Sequence, residues 1–538
     1  MTSTTRANAF ALTTIAAVFA IGWLLVAPWS NVPVVDDYAY AGSVEHLLKT
    51  GRIVINDRAS IYPIVQIVWG TLFARLLGFS FGALRLSTVF LSVAGCWAVY
   101  LTLRELAFDV TTSLVGALTL ALYPTYFVLS FTFMTDVPFV SLSAVAIYFY
   151  VSGVHRNHAG RMWWGTVFAV AAFLVRQVGC VLPLAVLAAA DRQTLSWSAA
   201  RRIWLPVAVG LVTIAALWFA LPVMFGPLAV IENRTLGLRF LTEMSIGEYW
   251  ISNLELLWIV AFPVAPLLVC QFTRGRRTLV LAGVWILLLA GFVLTKASIP
   301  EPLSNGQTWS LQDLAMRTNL FDGDVPSTTS VTRMSFVLAI VGTGLVAALI
   351  AAFPELRRTE WKAGRVLLAA GLLHFALINL LWVYYDRYYL ILMPALIYVA
   401  AAPLQDRRLR AWPAVIPLLI WGVISITGTR DVLTTNAFAA GMVRDLESQG
   451  VRPFDIDSGY SLNAWRLYVH PENLPPDANP HTDVPFVSTD KSRPYRIVTV
   501  PPAGYDILRS EKLPAAFWQV TDHMYVVHQR GDDQPKAR

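Results

Sequence analysis

Val34-Val35-Asp36-Asp37-Tyr38-Ala39-Tyr40 follows directly on an apolar run, residues 9–29, and sets two adjacent carboxylates where the chain leaves it. The run is preceded by Arg6, is too long for a signal-peptide core and lacks a convincing small-residue cleavage site, which predicts a retained membrane-spanning helix. With its N-terminus in the cytoplasm, that helix delivers the acidic pair to the outer mouth of the bundle that follows.

The 538 residues are 56% hydrophobic and only 14% charged, whereas soluble domains are about one quarter charged. Apolar stretches recur from Ala9 to Thr427 and then stop; Gly428 to Arg538 is polar and Pro-rich. This predicts a multi-pass membrane domain, residues 1–427, and an extracytoplasmic domain, residues 428–538. The net charge of +7 does not point to nucleic acid, because Lys and Arg sit in short clusters between apolar segments and read as topology signals. Cys96, Cys180 and Cys270 all lie in apolar segments, which argues against a disulfide framework or a thiolate metal cluster.

Outward from the acidic pair, Tyr40, Val44, Leu47 and Leu48 form one apolar face, closed by Gly51, and predict an amphipathic interfacial helix. Residues 61–77 carry Tyr62, Pro63, Gln66 and Arg75 and read as interfacial or partly re-entrant. Further spans are expected at 82–103, 112–130, 137–153, 163–175, 178–190, 203–222, 253–272, 278–295, 333–353, 365–383, 388–403 and 411–427. Every second loop then holds a basic cluster, as the positive-inside rule requires. About thirteen spans place the C-terminal domain on the side of Asp36 and Asp37. Long loops around 223–252 and 296–332, the latter with Trp309, Arg317 and Asp322 to Asp324, face the same side. In the C-terminal part a helix is expected at 438–449 and strands at 496–500 and 524–528, giving a small α/β domain.

Asp36 or Asp37 can simply cap the helix that follows, but one residue suffices for a cap. Phe133-Met134-Thr135-Asp136-Val137-Pro138-Phe139 puts a third carboxylate at the outer start of another span, again in a position to cap. Three acids on one membrane face are expected to be paired or functional. The balancing charge is offered by Arg176-Gln177, which interrupts an apolar run, and by Tyr384-Tyr385-Asp386-Arg387-Tyr388-Tyr389. An arginine fork matches phosphate geometry. Lys296 ends a further span, and His374 and Asn379 read as helix-packing groups.

The combination of Asp36-Asp37, Thr135-Asp136-Val137-Pro138, Arg176-Gln177 and Asp386-Arg387-Tyr388 followed by Pro394 resembles the polyprenyl-phosphate-sugar-dependent glycosyltransferases of the GT-C superfamily, the group of protein O-mannosyltransferases and the lipid A aminoarabinose transferase. The likeness covers residues 1 to about 403 and is faint at Asp457-Ser458-Gly459-Tyr460-Ser461-Leu462-Asn463-Ala464-Trp465. It implies a GT-C-like α-helical polytopic fold and inverting transfer of a sugar from a polyprenyl-phosphate donor to a glycan, lipid or protein acceptor, on the outer face of a bacterial inner membrane. A carboxylate of the first loop acts as base on the acceptor hydroxyl, with Asp36 the first choice and Asp37 and Asp136 orienting the acceptor or binding a metal. Arg387, Arg176, Lys296 and Tyr385 bind the donor phosphate, and Tyr38, Tyr62 and Gln177 contact substrate. The family's acidic pair often ends in Glu where this chain has Asp37. Some relatives use a divalent metal at equivalent acids, which leaves Mg or Mn at Asp36, Asp37 and Asp136 open. Two rival functions are a flippase for a lipid-linked sugar, which predicts internal repeats that the sequence lacks, and a noncatalytic glycan-assembly subunit.

Overall fold

The computed structural model describes residues 3–190, 200–228, 261–272, 344–358, 361–379, 386–405, 411–481, 493–514 and 522–530, with a few isolated positions besides. Lys296, Tyr385, the 223–252 loop beyond 228, the 296–332 loop, most of the 278–295 span and the first eight residues of each of the 253–272 and 333–353 spans lie outside the described residues.

The architecture is a helical membrane bundle with a small C-terminal sheet. Among the described residues six helices are long and apolar enough to cross a membrane: Thr5–Val26, Phe81–Glu105, Asp136–His155, Arg201–Phe225, Arg387–Leu404 and Trp412–Ser448. We label Ser3–Val26 α1, Asp37–Thr50 α2, Ile64–Leu77 α3, Phe81–Glu105 α4, Val110–Leu122 α5, Pro124–Ser130 α6, Asp136–His155 α7, Ala159–Phe173 α8 and Val181–Ala188 α9.

The first expected outer loop contains two helices. α2 ends at Gly51, whose φ of +71° lets its N–H return to Leu47 O at 2.9 Å. α3 has 14 residues, about 21 Å of helix at 1.5 Å per residue, too short for a hydrocarbon core of about 30 Å.

Four expected helices differ from observation. The continuous span 112–130 is instead α5 and α6, bent by 64°. Pro124 drives the preceding Tyr123 to extended backbone, φ −60°, ψ 122°, and then opens the next helix. The span 163–175 is α8, which starts earlier, and the span 178–190 is the shorter α9; they are separated where Arg176 is extended at φ −141°, ψ 128° before a 3₁₀ turn, Gln177–Cys180. The helix expected to stop at 427 runs on to Ser448 without a break.

Close helix approach is built on small residues. A Cβ on Gly95 of α4 would meet Ser141 of α7 at under 3 Å, so the two backbones touch there. Tyr126 of α6 adds its hydroxyl, 3.1 Å from Ser92 O and 3.0 Å from Ser141 Oγ, tying α4, α6 and α7 together. Cys96 and Cys270 are buried and Cys180 is partly buried.

In the C-terminal part, β1 (Ile456–Asp457), β2 (Tyr495–Val498), β3 (Tyr505–Lys512) and β4 (His523–Gln529) form one sheet in the order β1-β2-β4-β3. β1 and β2 are parallel and the other pairs antiparallel, with Ile497 opposite Val526. Ile456, Ile497, Met524 and Val526 pack on Ala439, Met442, Val443 and Leu446 of the helix Trp412–Ser448, and this cluster takes in Val32 beside the acidic loop. A second apolar cluster joins Tyr38 and Ala39 of α2 to Ala464, Leu467 and Tyr468. Both clusters press the C-terminal part against the segment carrying Asp36.

Candidate active site

Asp36, Asp136, Arg176 and Arg387 meet at one end of the bundle, brought there by four different segments. Asp136 is 1% exposed, and its Oδ1 lies 2.8 Å from Arg176 Nη2 and 3.7 Å from Arg387 Nε. Arg387 Nη2 is 3.7 Å from Asp36 Oδ2. Arg176 also donates from Nε to Thr135 Oγ1 at 2.9 Å, and both guanidinium groups lie over the Tyr388 ring, at 5.2 Å and 5.9 Å from its centre. The break between α8 and α9 is what frees Arg176 from a helix and lets it reach the start of α7.

Neither acidic motif serves as a helix cap. Asp36 is at the N-cap of α2 and Thr135 at that of α7, yet neither makes a side-chain cap hydrogen bond. Asp36 instead accepts from the Tyr460 hydroxyl at 2.7 Å through Oδ1, and the Tyr460 and Tyr38 hydroxyls are 3.2 Å apart. Its side chain is 34% exposed, against 1% for Asp136 and 5% for Arg387. The preceding residue, Val35, has φ +54°, a conformation that costs a β-branched residue strain. Its carbonyl accepts from Ser461 Oγ at 2.9 Å.

Asp37 points the other way. It is fully buried and accepts the Val34 N–H through Oδ1 at 2.6 Å, which closes the 34–37 turn. Burial pushes its carboxyl up to about 7, against the opposing pull of the Arg85 charge and of backbone N–H groups. Arg85, fully buried in the second turn of α4, donates to the carbonyls of Pro28, Ser30 and Val32 at 3.2, 2.6 and 2.6 Å. It therefore clamps the strand of chain that leads into the acidic pair.

Tyr62 and Gln177 pair with each other: Gln177 Oε1 accepts from Tyr62 N at 3.2 Å, and Gln177 Nε2 donates to Tyr62 O at 3.3 Å and Phe173 O at 3.1 Å. The Tyr62 hydroxyl donates to Gly226 O at 2.8 Å. Both therefore join the start of α3 to the turn that follows Arg176. Tyr38 is 1% exposed and reaches the site through Tyr460.

The donor set does not suit a hard divalent cation. Guanidinium groups occupy the space beside Asp136, and among the described residues no three His, Cys, Asp or Glu side chains converge. What the arrangement offers is one accessible carboxylate beside two fixed, permanently charged forks.

Sequence reasoning passed over Arg85, Tyr40 and Tyr460. Tyr40 is buried close to Thr135, Asp36 and Arg176, and burial raises its phenol. Arg85 was visible as a lone charge near the start of an apolar span, and Tyr460 lies inside the 457–465 motif whose likeness was faint.

No curated protein matches the chain. Two crystal structures of ArnT from Cupriavidus metallidurans, one apo and one bound to undecaprenyl phosphate, are similar at 15% and 16% identity, each covering 96% of this chain and 97% of that one with a TM-score of 0.43. The Archaeoglobus fulgidus oligosaccharyltransferase tethered with an acceptor peptide is similar at 14% identity and a TM-score of 0.39, over 80% of this chain and 55% of that one. Residues 63–225, which hold Asp136, Arg176 and Gln177, match the model of the dolichyl-phosphate-mannose-protein mannosyltransferase family.

Proposed function

We propose that the protein is an inverting glycosyltransferase that moves a sugar from a polyprenyl-phosphate carrier to an acceptor hydroxyl at the outer face of a bacterial inner membrane. The observation that carries the reading is the pairing of a partly exposed carboxylate, Asp36, with Arg387, in a chain whose residues 63–225 match a lipid-phosphate-sugar transferase family.

Asp36 takes the proton of the acceptor hydroxyl as that oxygen attacks the anomeric carbon. The bond from that carbon to the phosphate oxygen breaks, and its electron pair leaves with the lipid phosphate. The leaving group, a lipid phosphate monoester, departs without being protonated, so the general acid of a glycosidase has no counterpart here. Cationic stabilisation of the departing phosphate is required instead, and Arg387 and Arg176 supply it. Asp136 holds those two guanidinium groups in place, and Asp37, buried and facing Arg85, shapes the turn. The C-terminal part, 428–538, forms an extracytoplasmic domain that covers the site.

A positioned carboxylate base is worth about 10²–10⁴ in rate. Purified Asp36→Asn protein in nanodiscs should bind undecaprenyl phosphate as the wild type does while transfer from undecaprenyl-phosphate-linked monosaccharides falls by that factor. Near-normal turnover by Asp36→Asn refutes the assignment of the base. Movement of the intact donor across a liposome bilayer, with no new glycosidic bond, refutes the enzyme and favours a flippase.

A further inference from the structure

Tyr460 reaches Asp36 across 424 residues of sequence, from a segment outside the membrane bundle. The turn that presents it is unusually well fixed. Gly459 at φ +81° opens the short helix Tyr460–Asn463, and the buried Asp457 accepts from Gly459 N at 3.2 Å and from Asn463 Nδ2 at 2.7 Å. Asn463 Oδ1 accepts in turn from the Ser458 N–H and hydroxyl, at 2.9 and 2.8 Å. Ser461, the next residue along, holds the strained Val35 carbonyl immediately before Asp36. Two successive residues of one turn thus grip two successive residues of the acidic loop.

We infer that Tyr460 is a positioning residue for the transfer reaction: its hydroxyl occupies Asp36 Oδ1 and so reserves Oδ2, the oxygen facing Arg387, for the acceptor proton. This rests on the glycosyltransferase reading above and adds that the base is set by the C-terminal part of the chain. The geometry gives the carboxylate one fixed plane. Without the phenol, the partly exposed Asp36 carboxylate loses one of the two contacts that fix its plane, the other being Arg387. Tyr38, edge-on to the Tyr460 ring with centroids 5.8 Å apart, holds the phenol from the other side.

The test compares Tyr460→Phe with wild type in nanodiscs, reading kcat, KM for undecaprenyl-phosphate-linked monosaccharides and the thermal midpoint. Phe keeps the ring contact and loses only the hydroxyl, so a packing role leaves kcat unchanged. The positioning role lowers kcat about tenfold or more, as expected for losing a hydrogen bond to a charged group, with KM and the midpoint near wild type. Asn463→Ala releases the same turn without touching the base. Its loss should not add to that of Tyr460→Phe, because the two act as a unit. Wild-type kcat in Tyr460→Phe, or fully additive losses in the double variant, overturns the inference while leaving the proposed enzyme intact. A wild-type protein without transfer activity overturns both.

Discussion

Asp136 Oδ1 lies 2.8 Å from Arg176 Nη2, and the same oxygen lies 3.7 Å from Arg387 Nε, so one buried carboxylate stands between two buried or largely buried guanidinium groups. Removing its charge leaves two like charges facing each other in a medium that screens them poorly.

Asp136→Asn is therefore expected to lose both stability and activity. Breaking a buried ion pair from one side costs about 3–5 kcal/mol, and the thermal midpoint of the detergent-solubilised variant measures it. A midpoint within error of wild type means that Arg176 and Arg387 are held by something other than Asp136.

Arg387→Lys keeps the charge and discards the fork. If planar two-point contact with phosphate is what matters, kcat/KM for the lipid-linked donor drops ten- to hundredfold, in line with roughly 1.5–3 kcal/mol for a charge-assisted hydrogen bond. Full activity in this variant assigns Arg387 a purely long-range electrostatic role.

Asp37 gives the protein a pH dependence of known sign. Its proton is kept in the folded chain up to about 7, whereas the ordinary carboxyl value is 3.8. Between these values the folded state binds more protons than the unfolded one, so this group makes stability fall as pH rises through the window and level off above it. The full effect is on the order of 4 kcal/mol. Asp37→Asn should flatten the fall, and wild-type and variant melting curves that run parallel from pH 4 to 8 exclude it.

Arg85→Met strips the donors from Pro28, Ser30 and Val32 and leaves Asp37 with no nearby positive charge. A loss of about 3 kcal/mol or more is expected. Combining it with Asp37→Asn should cost less than the sum of the two, a non-additivity read from a double-mutant cycle.

The helical membrane architecture was legible because its signal is compositional, in the recurrent apolar runs. The polar groups of the site stood out for the same reason, since Asp136, Arg176 and Arg387 interrupt or border apolar sequence. Where a signal was ambiguous, reading stopped. Pro124 can start a helix or interrupt one, and only the 64° bend shows that here it does the first after ending its predecessor. β3 escaped detection because Tyr505–Lys512 is an edge strand, largely exposed and with no alternation of apolar and polar residues. Arg85 looked like an ordinary charge near a span end, while its true partners are backbone carbonyls more than fifty residues earlier. Tyr460 was hidden by distance in sequence, and a tyrosine at a membrane boundary has an ordinary explanation in the aromatic belt.

The helix Trp412–Ser448 is 37 residues long, or about 55 Å at 1.5 Å per residue, nearly twice the thickness of the hydrocarbon layer. It acts as a calibrated strut, whose length and phase dictate the height and azimuth at which the sheet and the Tyr460 turn are presented. One alanine inserted at Thr429 would raise everything beyond it by about 1.5 Å and swivel it by about 100°. The insertion changes no residue around Asp36, and it should silence the site by swinging its roof out of register.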